Sequence, residues 1–382
     1  VRFGDFNGDG LADQAPEVAA VGSPNFEVSL NLKLTPDLLS HITHSQGAKT
    51  DITYQPTTAY KINSETLANP KLPMVLQTVS SVTTDDGLGN TATTNYTYEG
   101  GQYFYNNPLD RKFAGFAKVT KTDALGHVTK QYFHQGNESA TELGEYVDHS
   151  AKINLVYKTE IFDTAGKLYH QTIHKWERSQ LDSLAGANDA KRNFVRIEKT
   201  VSQIFDGNES HKDTAQTFVY NTSDGNLEKQ INLGEVTLTN PATLETTDVG
   251  TDTITAEYSY VNNAATFSAL RAQITVTDSS GAKVQETKLY YDNLPLKQAS
   301  KGNLTKQESW ISGSTYQTVE KTYNQYGLPL TQKDPNGNVT TYTYEQYNLY
   351  PATMTNALWQ TTTYPIYALN YETPPTPQNL LS

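Results

Sequence analysis

Polar and apolar residues alternate with a period of two along most of this chain. The stretch "EVSLNLKLTPDLLSHITHSQGAKTDITYQP" reads as short strands, with Gly47 marking the turn between "LLSHIT" and "KTDITY". In "LPMVLQTVSSVTTDDGLGNTATTNYTYEGG", Gly87 and Gly89 break one strand from the next. The run "LDRKFAGFAKVTKTDALGHVTKQYFHQ" again gives strand, turn, strand. Helical spacing is scarce. Only "GNESATELGEYVDHSAK" and "ERSQLDSLAGANDAKRN", richer in Glu, Ala and Leu, read as either a short helix or a long surface loop.

The turns share a signature. Asp86-x-x-Gly89, Asp123-x-x-Gly126, Asp163-x-x-Gly166, Asp278-x-x-Gly281 and Asp334-x-x-Gly337 each place Asp three residues before Gly. Asp at the first position of a type I turn can accept a hydrogen bond from the backbone two residues on. Gly at the fourth position takes the positive φ that closes a bulged hairpin. Each of the five is therefore expected at a hairpin tip. The fullest unit runs through Tyr323, Gly327, Leu330, Asp334, Gly337, Thr340 and Tyr344. Weaker copies contain Tyr220, Gly225 and Leu227, and Tyr291 with Asp292; in the unit after Tyr344, Asn348 stands where Gly would fall. A period of about 20 residues predicts a stacked β architecture in which each hairpin buries its face against its neighbours. Tyr323 and Tyr344 are expected at equivalent positions on neighbouring strands.

Composition agrees. The 382 residues include 25 tyrosines, 24 glycines, 2 methionines and no cysteine, an all-β bias without disulfides or thiolate metal sites. Net charge is -12 with dispersed Lys and Arg, which argues against nucleic acid as a partner. No apolar run approaches the ~20 residues of a membrane-spanning helix, so no direct membrane insertion is expected. A start without methionine, inside a strand-like motif, carries the expectation of a segment cut from a longer polypeptide. Absence of cysteine suits an exported protein.

The best ligand candidate opens the chain. In "VRFGDFNGDGLAD", Asp5, Asn7, Asp9 and Asp13 alternate with small or apolar residues, and Gly10 sits where the loop must turn sharply. With the Leu11 carbonyl they form an all-oxygen set suited to a structural calcium ion. Pro16 stands where the glutamate that completes an EF-hand is expected, which argues against a continuous helix–loop–helix site. The shorter form resembles the calcium loops of FG-GAP repeats in β-propellers. The plainer alternative is a solvated turn without metal.

Other constellations weigh less. His170 and His174 lie four apart, but Gln171 stands where a metalloprotease needs Glu. On a strand, two such side chains are ~13 Å apart, too far for one metal. The Asp-x-x-Gly copies lack the Asp-Thr/Ser-Gly form of aspartic proteases, and there is no G-x-S-x-G elbow or P-loop. No catalytic residue is assigned. In "RKFAGF", Arg111 and Lys112 could form a docking patch. The favoured reading packs Phe113 and Phe116 against a sheet, with Gly115 for close approach.

The stretch "DPNGNVTTYTYE" closely matches the YD (Rhs) repeat. The order of acidic loop, "LLSHITHSQGAKTDITY", "LDRKFAGFAKV" and YD repeats resembles the middle region of the B component of bacterial Tc insecticidal toxin complexes. The plasmid virulence B proteins share part of this layout. The resemblance implies an all-β fold: propeller-end strands, then a curved antiparallel sheet of YD hairpins, part of a hollow Rhs shell. It divides the chain into a propeller end (1–30), a toxin middle region (31–135) and a YD-repeat segment (136–382). It implies a secreted, non-catalytic structural protein that encloses a C-terminal toxic polypeptide. The implied partners are that C-component cargo and a pore-forming A component. The alternative is a YD-repeat adhesin or carbohydrate-binding surface protein.

Overall fold

The protein is described from a computed structural model, which covers residues 2–15, 28–31, 37–136, 148–183, 191–262 and 269–364. Almost all of its regular structure is antiparallel β. Among the described residues the helical turns are two 3-10 turns, Thr57–Ala59 and Ser150–Lys152. The chain divides into two compact units, Val1–Phe218 with Asn232–Asp252, and Val219–Ile231 with Thr253–Ser382.

In the first unit, Arg2–Gly4 pairs with Asp13–Ala15 as a separate hairpin around the acidic loop. A meander follows, each strand antiparallel to the next: His41–Thr43, Lys49–Pro56, Gln77–Asp85, Thr91–Glu99, Lys118–Thr122, Val128–Phe133, Val156–Phe162, Leu168–Ser183, Lys191–Ile204 and Lys212–Tyr220. One hairpin, Tyr103–Asn107 with Asp110–Phe113, forms a two-stranded sheet of its own. A small core of Ile173, Val201, Ala215, Val236 and Leu244 anchors the C-terminal part of this unit. The second unit continues the pattern from Ile254–Tyr260 through seven further strands to Thr361–Thr363. Its core is Val261, Ala272, Tyr291 and Ala299, flanked by Leu270, Leu289, Leu296 and Leu304.

All five Asp-x-x-Gly turns lie at hairpin tips, and their bonds follow the expected chemistry. At Asp123, Asp163, Asp278 and Asp334 one carboxylate oxygen accepts the N–H groups two and four residues on, at 2.8–3.0 Å. The glycine N–H returns to the Asp carbonyl at 3.0 Å, with φ between +78° and +93°. Asp86 makes the same two carboxylate bonds, to Leu88 and Asn90, with Gly89 at φ +97°. The scheme also tolerates substitutes. Asn324 and Asn356 replace Asp, while Asn348 (φ +53°) and Trp359 (φ +63°) take the glycine position.

Two expectations need correction. Residues 177–183 and 191–193 are neither helix nor loop; they extend the long strands Leu168–Ser183 and Lys191–Ile204, while 184–190 lie outside the described residues. Their charges pair across strands, as with Arg196 and Glu177 at 2.8 Å, instead of along a helix. In the other stretch, Ser150–Lys152 is a 3-10 turn whose Ala151 N–H donates to the His149 ring at 3.0 Å; 137–147 are not described. Secondly, Tyr323 and Tyr344 hold equivalent positions, each the last residue of its strand, but Pro329–Lys333 lies between their strands.

Their equivalence goes further than position. Tyr260, Tyr291, Tyr323 and Tyr344 each end a strand. Each donates its hydroxyl to the carbonyl of the first residue of an earlier strand: Leu227, Arg271, Leu304 and Pro329, at 2.7–2.8 Å. At every one of them the register to the following strand slips by a bulge. The spacings are 31 (291 less 260), 32 (323 less 291) and 21 (344 less 323), so the period of about 20 holds only for the last unit. Removing one hydroxyl, as in Tyr323→Phe, strands a half-buried carbonyl. We expect about 1 kcal/mol of lost stability, read as faster amide exchange along Thr315–Tyr323 with the sheet intact.

Candidate functional site

The opening loop is organised by Asp5. Its Oδ1 accepts the N–H groups of Gly8 (2.7 Å) and Asp9 (3.0 Å), and its Oδ2 that of Gly10 (2.8 Å). Asn7 donates from Nδ2 to Asp9 Oδ2 at 2.8 Å, and Asp9 Oδ1 accepts the Leu11 N–H at 2.8 Å. Gly10 turns the loop at φ +85°. Asp13 is buried beneath it and accepts the N–H groups of Asn31 (2.8 Å) and Phe6 (2.9 Å). The Asn31 amide is the chief reason its carboxyl stays below the usual carboxylate range. Gln77 and Thr58 fasten the loop by donating to the Asp9 and Gly8 carbonyls. Asp5, Asn7, Asp9 and Leu11 thus share one loop, while Asp13 points at two backbone amides. Among the described residues, no three His, Asp or Glu side chains gather as a metal site. The donor set remains all-oxygen, and each carboxylate oxygen that accepts one N–H keeps a second lone pair.

The second site-like feature is Asp292, which follows a strand-ending tyrosine. Its Oδ2 accepts the N–H groups of Ser300, Lys301 and Gly302, and its Oδ1 that of Asn303, at 2.7–3.0 Å. Burial pushes its pKa up, but the four amides overcome this and hold the carboxyl at about 2. One carboxylate therefore closes the loop from 292 to 303. Sequence reading noted Tyr291 and Asp292 as a weak repeat copy and missed this clamp, whose only sequence signal is the Tyr-Asp pair itself.

The "RKFAGF" stretch is divided by the structure. Its second half is a packed node: Phe116 lies against Tyr98 with the rings tilted (4.9 Å) and meets Phe113 edge-on (5.6 Å), and Ala114 is fully buried. Gly115 lies at φ +76°, where a Cβ would fall 2.1 Å from Asn154 Oδ1. Gln135 donates to the carbonyls of Gly100 (2.6 Å) and Gly115 (3.2 Å), and Asn69 accepts the Gly101 N–H at 2.8 Å. Arg111 and Lys112, in contrast, are exposed.

Histidines do not assemble into a centre. His170 bonds Ser202 Oγ (2.6 Å) and His174 bonds Thr200 Oγ1 (2.9 Å), each on the adjacent strand, as ordinary strand residues do. His134 is fully buried beside Tyr157, with Nδ1 3.3 Å from Asp148 Oδ1 and, among the described residues, no hydrogen bond on either ring nitrogen.

What the geometry defines, within each unit, is a run of antiparallel hairpins, many of them closed at the tip by an Asp or Asn turn and, in the second unit, several fastened at the strand end by a tyrosine. Residues 1–137 match the family model described as the insecticide toxin TcdB middle/N-terminal region. No curated protein matches the chain. Among solved structures, it is similar to the crystal structure of TcdB2-TccC3-Cdc42 at 13% identity and TM-score 0.63, over 94% of this chain and 25% of that one. TcdB2-TccC3-TEV gives 13% identity and TM-score 0.65 over 94% and 25%. The Photorhabdus luminescens Tc holotoxin pore gives 12% and 0.63 over 99% and 26%. At these identities the likeness is one of fold, and this chain spans about a quarter of each of those chains. The fold is thus like that of the solved Tc toxin structures, and residues 1–137 match the TcdB middle/N-terminal region.

Proposed function

We propose that this chain is a non-catalytic wall segment of a secreted B component, part of a β-shell that encloses a C-terminal toxic polypeptide. Its partners are the C component that supplies this cargo and the pore-forming A component of the same complex. The observation that carries the reading is the succession of paired antiparallel hairpins among the described residues of each unit, with repeated tyrosine and Asp-turn locks. Such a run builds surface in preference to a pocket. The partnership is supported by the solved neighbours, in which TcdB2 stands with TccC3. The test is a reconstruction of the full-length protein with its C component. Residues 37–364 are expected as contiguous wall around a cavity; a solid packed domain without a lumen would reject the reading.

In the same proposal, Asp5, Asn7, Asp9 and Asp13, with the Leu11 carbonyl, hold a structural calcium ion that stiffens the opening loop. Chelation is then expected to lower the melting temperature of the full-length protein, and Asp9→Ala to abolish that difference. Identical melting with and without chelator would leave the loop as a turn held by its own amides.

A further inference from the structure

In the strands of the second unit, charge is gathered on one face. Residues opposite each other on paired antiparallel strands point to the same side of a sheet. The register therefore puts Glu286, Lys288, Lys306, Glu308, Glu320 and Lys333 on a single face. They are tied together there. Lys283 reaches Glu286 at 3.0 Å, Lys306 reaches Glu308 at 2.8 Å, and Lys333 reaches Glu320 at 3.1 Å. Further along the same face threonines take over from the ions. Thr322 bonds Thr331 and Thr343 bonds Thr353, each at 2.7 Å, and Thr355 bonds Thr361 at 2.9 Å.

The reverse face has a different chemistry. Ile274, Val276, Val319, Tyr342 and Met354 stand on it, half-buried, among glutamines, serine and threonines. Its paired positions from Arg271–Thr277 to Thr361–Thr363 carry one charge, Lys321. All these strands belong to one sheet, so among the described residues no second sheet of this unit lies over either face.

Two faces this unlike suit different surroundings. A surface with both signs of charge interspersed is the kind that keeps a protein soluble in bulk water. Coulomb attraction strengthens where water is scarce, so a charged lining would grip oppositely charged segments of an enclosed chain. A lining of amides, hydroxyls and aliphatic groups makes many weak contacts and fixes none of them. We propose that the uncharged face lines the lumen and touches the enclosed C-terminal polypeptide, held unfolded, while the Lys–Glu face is the outside of the wall. The inference rests on the shell reading above and adds which side chains meet the cargo.

The test uses single cysteines in a cysteine-free full-length B chain co-produced with its C component. Gln317→Cys and Thr362→Cys lie on the uncharged face, and Thr341→Cys and Thr363→Cys on the other. All four positions are exposed, so folding is retained. In the assembled complex, a maleimide carried on a long polyethylene glycol chain should shift the Thr341→Cys and Thr363→Cys chains fully. It should leave Gln317→Cys and Thr362→Cys unshifted until the complex is denatured. The photo-crosslinker p-benzoylphenylalanine in place of Gln317 should join B to the C-terminal part of the C component, and in place of Thr341 should not. The reverse pattern of shifts, protection of both faces, or the lack of a cross-link from Gln317 to the C component would overturn the face assignment and leave the shell standing. Full reaction of all four cysteines in the assembled complex would overturn the shell reading and this inference with it.

Discussion

Gly136→Ala is expected to destabilise the first unit by about 2–4 kcal/mol. Gly136 sits at φ +73°, where an L side chain costs about 1–2 kcal/mol. A Cβ there would lie 2.9 Å from the Ser150 Cα and 3.0 Å from the Ile153 side chain. The first neighbour is backbone and cannot turn aside, which adds overpacking of about 1–3 kcal/mol. The residue also donates its N–H to Asp148 Oδ2 at 2.6 Å, so any shift loosens a buried carboxylate. Local amide exchange is the readout. The N–H groups of His134 and Asn154, bonded to the Leu155 and His134 carbonyls, should lose protection first. Unchanged protection there would mean that the Gly136 turn yields more easily than its contacts imply.

The second large effect is expected from Asp292→Ala. Four amides, of Ser300, Lys301, Gly302 and Asn303, lose a charged acceptor at once. A hydrogen bond to a charged group contributes about 1.5–3 kcal/mol. Because four bonds share one carboxylate and water replaces part of the loss, about 3 kcal/mol is expected for the set, roughly a hundredfold in amide exchange. The pH dependence has a definite sign. The folded carboxyl titrates at about 2, below its ordinary 3.8, so the unfolded loop binds more protons between these values. Stability from the clamp is complete above about pH 4 and is lost as pH falls through about 2. Protection of the four amides should therefore fall on acidification in the native chain and stay flat in the Ala variant.

These two sites show how differently the sequence discloses its structure. The Asp-x-x-Gly tips were legible because acceptor, donor and left-handed residue lie within five positions, so local chemistry decides them. Asn348 and Trp359 fill the same left-handed position without Gly, and only the first was noticed in the sequence. The tyrosine locks were half legible. Their recurrence is visible, but the carbonyls they bind lie 15 to 33 residues earlier, and no local pattern names them. Residues 177–183 were misread because Glu, Ala and Leu favour helices in isolation, whereas here cross-strand partners decide. In the acidic loop, the spacing located Asp5, Asn7 and Asp9 together. It did not reveal that Asp13 is turned toward the Phe6 and Asn31 amides. The separation of Arg111 and Lys112 from the packed Phe116 was likewise hidden, since a single six-residue string spans an exposed strand and a buried node.

The central claim is that the chain is part of a wall around a polypeptide, and protease protection tests it most directly. The full-length protein, co-produced with its C component, is treated with trypsin under native conditions, and survival of the C-terminal cargo is followed over time. The account predicts that the cargo stays intact while the shell is closed. It also predicts degradation when the wall is breached by paired Gly136→Ala and Asp292→Ala substitutions. Cargo digested at the same rate with the intact wall as without it would contradict the account.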